Sequence, residues 1–158
     1  MLIEYFVLVD RIRSLSVKDG VVQCEAKVPV DSTIYRGHFP GHPILPGVLL
    51  VEAMAQTAGW LIVAMNRAER FPFLSIINEA KLRDFVEPGS DLLIESTLLH
   101  DGSGFARTSN RVLIGDTVKC ESITTFRVLP FPSPLFRDEL VAHAARIGYP
   151  LEFLPNGR

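Results

Sequence analysis

Two cysteines, one tryptophan and no surplus of either charge are what this 158-residue sequence offers sparingly. Cys24 and Cys120 stand far apart and outside any metal-ligand or redox spacing, which argues against a disulfide scaffold, a zinc cluster and a CxxC centre. Buried structural thiols in a reducing compartment are the expectation. With 16 Lys and Arg against 18 Asp and Glu, the net charge is −2, so neither nucleic acid nor an anionic membrane surface is indicated as the main partner. No internal repeat and no low-complexity tract is present. The opening MLIEYFVLVDRIRS lacks a basic n-region and a small-residue cleavage site, and Glu4 interrupts its apolar run. It reads as mature protein, with the cytoplasm as the expected location.

Charge is scarcest between Gly37 and Asn66, where Glu52 is the only ionisable side chain apart from His38 and His42. At about 1.5 Å per residue, residues 43–66 are long enough to cross a bilayer. Pro43 and Pro46 at the start, and Glu52, Gln56 and Thr57 in the middle, argue against a membrane span. What remains is one domain with a single core. Its 47% hydrophobic content exceeds the ordinary, an excess that a subunit interface or a ligand cavity would use.

Along the chain, a short helical segment is expected first. VDRIRSLSV and VVQCEAKVPV then flank Lys18, Asp19 and Gly20 as a hairpin. Residues 33–46, with Gly37, Pro40, Gly41, Pro43 and Pro46, form a stiffened loop. A helix is predicted from there to about Asn66, with Pro46 suited to its first position. Four segments of strand character follow: FLSIINEAKLRDFV, LLIESTLLH, FARTSNRVLI and TVKCESITTFRVL. The helices needed for repeated parallel crossovers are missing, so the fold class is α+β, an antiparallel sheet wrapped around one long central helix. The main domain is expected over residues 1–129. Residues 130–158 read as a C-terminal extension with a short amphipathic helix, RDELVAHAARIG.

The chemistry concentrates in GHFPGHPILPGVLLVEAMAQ. A carboxylate in apolar surroundings is costly when charged, so desolvation pushes Glu52 toward an acid role. Gln56, one helical turn later, can hold it by a hydrogen bond. A carboxylate near a helix start can also simply complement the dipole, and a loop histidine is ordinarily a surface residue. The joint pattern points elsewhere: a neutral His38 that removes a proton and a protonated Glu52 that donates one form an acid–base pair. The first amides of the helix at Gly47 can stabilise a carbonyl oxygen gaining negative charge, although Gly47 also suits the turn alone.

The segment HFPGHPILPGVLLVEAMAQ resembles the signature of the hotdog-fold (3R)-hydroxyacyl-[acyl-carrier-protein] dehydratases of type II fatty-acid synthesis, the FabZ-like enzymes, at every defined position. The likeness continues more weakly to about Leu129 and implies the hotdog fold. It implies that His38 is the base and Glu52 the acid, forming a trans-2-enoyl thioester. Gly47, Val48, Phe39 and Gln56 are the implied substrate-binding residues. The substrate would ride on the phosphopantetheine of acyl carrier protein, with no metal and no resident cofactor. A homodimer with shared sites is the implied minimum, with a trimer of dimers as the higher form. Leu45, Leu49, Val51, Met54, Phe39 and Trp60 are candidates for tunnel wall or core. Lys81 and Arg83 keep the basic rim expected for an acidic carrier, whereas Asp84 and Glu87 depart from it. That rim and the C-terminal extension suggest a dedicated carrier in a specialised long-chain or lipid A pathway. The competing readings are a dehydratase–isomerase, which usually carries Asp at the position of Glu52, a hotdog thioesterase, and a non-catalytic acyl-thioester binder.

Overall fold

Alternation of buried and exposed side chains lays out the sheet. In the segment FARTSNRVLI, Ala106, Thr108, Asn110 and Val112 point inward and the residues between them face away, the period of a strand covered on one side. The computed structural model describes residues 1–154. Its elements are a 3-10 turn at Ile3–Tyr5, strands β1 (Arg11–Ser16) and β2 (Val21–Lys27), a second 3-10 turn at Thr33–Arg36, and helix α1 (Gly47–Met65). Strands β3 (Phe71–Leu82), β4 (Asp91–Gly102), β5 (Phe105–Ile114) and β6 (Thr117–Leu129) follow, then helix α2 (Pro134–Arg146) and a 3-10 turn at Leu151–Phe153. All strand pairs are antiparallel, in the order β1-β2-β4-β5-β6-β3. This is the expected α+β arrangement, one sheet wrapped around α1. The β1–β2 hairpin closes where expected, at Gly20, whose φ of +64° is open to glycine.

Helix α1 is apolar almost all round because it is covered almost all round. Leu50, Met54, Leu61 and Val63 are at most 2% exposed, each contributing about 1.5–3 kcal/mol by burial. Its mean hydropathy of 1.7 would suit a membrane span, yet 72% of it is buried inside this fold. Pro46 is its N-cap rather than its first residue, and Asn66 ends it. The Asn66 side chain donates to the Ile62 carbonyl at 2.9 Å and accepts from the amides of Glu69 and Arg70, turning the chain toward β3. Cys24 and Cys120 are free and buried under this helix. Burial pushes their thiols up to about 12 and about 11, which keeps both protonated and inert at neutral pH.

The face of the sheet turned away from α1 carries a ladder of paired side chains. Ser14 donates to Gln23 and Gln23 to Glu95. Arg111 pairs with Glu95, and Arg83 with Glu121. Each strand-borne member faces the next across the register: Ser14 opposite Gln23, Gln23 opposite Glu95, Glu95 opposite Arg111, and Arg111 opposite Glu121.

The C-terminal segment is not set apart from the domain. Ala144, Ile147, Tyr149 and Leu154 belong to the main core, and Ile12 of β1 donates its amide to the Ile147 carbonyl at 2.8 Å. Gly148, at φ +73°, folds the chain back after α2 so that Tyr149 meets Trp60 of α1. The short amphipathic pattern of α2 hides this, because the residues that anchor the segment come mostly after the helix. Replacing Ile147 by alanine should cost about 2–5 kcal/mol of unfolding free energy in a denaturant titration; a neutral result would mean the segment is only appended.

Candidate active site

Between Leu49 and Ala64 only three positions of α1 escape full burial: Glu52, Gln56 and Gly59. Their spacing of four and three residues places them on one stripe. That stripe opens onto an apolar cavity of 540 Å³, bounded on the sheet side by Phe71 to Leu74 and Phe126, and at one end by the N-terminal residues Phe6 and Val7. Glu52 is half-buried at this cavity rather than enclosed in the core.

Gln56 fixes the acid and its surroundings together. Its Nε2 donates to Glu52 Oε1 at 3.1 Å and to the Phe6 carbonyl at 2.7 Å, while its Oε1 accepts from the Leu8 amide at 3.1 Å. The first segment of the chain is thereby tied to the helix. Leu8 and Val9, at 0% and 1% exposure, complete that seam.

His38 sits on the loop before α1, clamped to Ile44 from two sides. The Ile44 amide donates to the His38 carbonyl at 3.3 Å, and His38 Nδ1 lies 3.2 Å from the Ile44 carbonyl oxygen. A carbonyl can only accept, so Nδ1 carries a proton and the lone pair of the neutral ring is left on Nε2. The Phe39 ring, tilted by 32° with its centroid 4.5 Å away, braces the imidazole.

The structure brings only part of the expected constellation together. Glu52, Gln56 and Trp60 line the cavity; His38, Phe39, Gly47 and Val48 lie outside its lining. Phe39 and Val48 are 54% and 70% exposed near the start of α1. The helix start carries no side-chain cap, so its first amides stay available. The space beside Gly47 is filled by Leu82: a Cβ added there would lie 2.5 Å from Leu82 Cδ1. Leu45, Leu49, Val51 and Met54 are core residues. Lys81 pairs with Glu79 at 2.8 Å, Arg83 with Glu121, and Lys119 with Asp84, so the expected basic rim is matched charge for charge. Ala55, Gly59, Val63 and the α2 residues of the cavity were not singled out from the sequence. The i, i+3, i+4 spacing from Glu52 could have pointed to the first three.

A model of the FabA-like domain matches residues 2–121 of the chain. The chain is 33% identical over 121 residues to the 3-hydroxyacyl-[acyl-carrier-protein] dehydratase FabZ of Fusobacterium nucleatum, covering 77% of this chain and 85% of that protein. It is 38% identical over 117 residues to FabZ of Novosphingobium aromaticivorans, covering 72% and 73%. Among solved structures it is similar to smu.793 from Streptococcus mutans, bound to acetyl CoA, with a TM-score of 0.62 and 16% identity over 78% of this chain and 90% of that one. A hypothetical thioesterase from Streptococcus pneumoniae with coenzyme A gives a TM-score of 0.60 and 14% identity over 78% and 88%. At such identities the structural likeness establishes the hotdog fold alone.

Replacing Gln56 by leucine removes the clamp on Glu52 and leaves the Leu8 amide unpaired. The expected cost is about 1–3 kcal/mol of stability, with faster hydrogen exchange at Leu8. Unchanged exchange there would show that the N-terminal segment is held by other contacts.

Proposed function

The chain belongs to the FabA-like family as a FabZ-like dehydratase, and from that premise we propose that His38 and Glu52 remove water from a (3R)-3-hydroxyacyl thioester carried on acyl carrier protein. His38 Nε2 takes the proton from C2, and the electron pair released forms the C2=C3 bond. The C3–O bond breaks, and the hydroxyl leaves as water with the proton of Glu52. The product is a trans-2-enoyl thioester. The uncapped first amides of α1, at Gly47 and Val48, are the donors suited to the thioester oxygen as charge develops on it. Leu82, 56% exposed, is the side chain a bound thioester would displace.

The tautomer lock is the observation that carries these roles. With Nδ1 committed to Ile44, the one basic nitrogen left is Nε2, which is what proton removal requires. Glu52 keeps its link to Gln56 and faces the apolar cavity that an acyl chain would enter. The glutamate, rather than aspartate, favours plain dehydration over the isomerase variant.

The active unit in this reading is a dimer. β3 is an edge strand, and its Phe73, Ile76, Ile77 and Leu82 are 50–56% exposed, a long apolar edge that a solitary subunit would not protect. Since His38 stands outside the cavity that Glu52 lines, a second copy is the natural source of the histidine for each site. Assembly of such dimers in threes, a soluble cytoplasmic setting and service to a dedicated carrier extend the same proposal. The matched charges around Lys81, Arg83 and Lys119 support a carrier contact that does not rely on a free basic patch.

His38→Ala and Glu52→Gln should each lower enoyl-thioester formation by about 10²–10⁴-fold, followed by the absorbance of the conjugated product. Normal turnover in either variant would remove that residue from the reaction. Mixing the two inactive variants under subunit exchange should restore about a quarter of wild-type activity, because half the dimers are mixed and each holds one intact shared site. No recovery, with exchange confirmed, would place both residues in one subunit.

A further inference from the structure

We propose that helix α2, which lies beyond the residues matched by the family model, gauges the acyl chain: with Trp60 it closes the far end of the groove that begins at Glu52. This inference rests on the dehydratase reading, since the occupant is the substrate's own acyl chain.

The groove follows one face of α1. Glu52, Ala55, Gln56, Gly59, Trp60 and Val63 all line it, at the spacing that keeps residues on one side of a helix. From Glu52 the helix rises about 12 Å to Trp60 and about 16 Å to Val63. An extended chain advances about 1.2 Å per bond, so a chain whose hydroxyl carbon, C3, lies at Glu52 reaches Trp60 about ten bonds further on, near C13. Gly59 keeps the floor open between these points. A Cβ there would meet its nearest neighbour, Pro72 Cγ, at an ordinary contact distance of 3.7 Å, so a larger side chain would extend from this point into the groove.

At the far end the walls come from α2. Phe136, Leu140 and His143 line the same cavity, and the exposed Glu139 stands at its edge. Trp60 stacks on His143 at 5.7 Å and leans on Tyr149 at 5.4 Å. Phe136 meets Phe71 of β3 edge-on at 4.9 Å, bridging helix and sheet. Burial, reinforced by Arg146, holds the His143 imidazole below its ordinary value, which favours its neutral form against the Trp60 ring. The helix is fixed in place: Ser133 caps it through the Phe136 amide, and Arg137 Nε donates to the Ala68 carbonyl at 2.9 Å. An apolar wall across the path of an apolar chain discriminates by length, because one methylene more or less in such a pocket is worth about 10–200-fold in specificity.

The full-length protein is tested with 3-hydroxyacyl N-acetylcysteamine thioesters of graded length, reading kcat/KM and, separately, the fluorescence of Trp60, the only tryptophan in the chain. Chains of about thirteen carbons or more should perturb Trp60 emission while four-carbon chains should not. Gly59→Leu and Leu140→Phe should lower the ratio of long-chain to short-chain kcat/KM by about tenfold or more, and the double variant Phe136→Ala, Leu140→Ala should raise it. Equal effects on every chain length, or a Trp60 signal indifferent to length, overturn the gauge and leave the dehydratase reading intact. Length-dependent Trp60 quenching with no turnover on any chain would instead overturn the dehydratase reading while keeping the groove.

Discussion

Everything in this molecule follows from burying a helix that has almost no polar face. Once α1 is apolar all round, a sheet on one side is insufficient cover. The remaining flanks are closed by the N-terminal segment through Leu8 and Val9 and by α2 and its sequel through Ala144, Ile147 and Tyr149. Between Leu49 and Ala64 only the stripe of Glu52, Gln56 and Gly59 is left partly open. The acid and the groove are therefore what the covering of α1 leaves over, and their alignment along one helix face comes with the fold.

The polar groups at this opening are organised by hydrogen bonds to backbone. Gln56 ties two main-chain groups of the first segment and one carboxylate oxygen with a single amide, so the acid inherits the rigidity of the chain start. His38 gains its orientation from one carbonyl, that of Ile44, in a loop whose prolines and glycines leave the backbone few alternatives. Such arrangements hold an imidazole and a carboxyl group in fixed orientations, which suits the proposed dehydration, in which one group takes a proton and the other gives one.

Much of this was legible in the residues. Strand character between turn residues marked β2, β4, β5 and β6, proline and glycine marked the loop before α1, and the isolation of Glu52 in apolar sequence marked the one carboxyl group of α1. β3 was legible as a strand as well, although its 12 residues are exposed along most of their length, as at the edge of a sheet. The exceptions share a cause. Leu82 over Gly47, the salt bridge between Arg83 and Glu121, and the return of residues 147–154 to the core are all contacts between segments distant in sequence. Local periodicity holds no information about them. Trp60 was a candidate for wall or core, and it is both: 8% exposed, it belongs to the core cluster with one side on the cavity.

The paired side chains on the outer face of the sheet also bear on how such a sequence can change. Surface pairs of this kind contribute little individually, but each faces its partner only in the native register; a slip of two positions would set Arg111 against Leu93 or Thr97 instead of Glu95. A substitution at Glu95 strands Arg111 and Gln23 together, and one at Glu121 strands Arg83. Drift on this face should therefore proceed by compensated exchanges, with residues of neighbouring strands changing in company. Strands far apart in sequence are thus joined into one inherited unit.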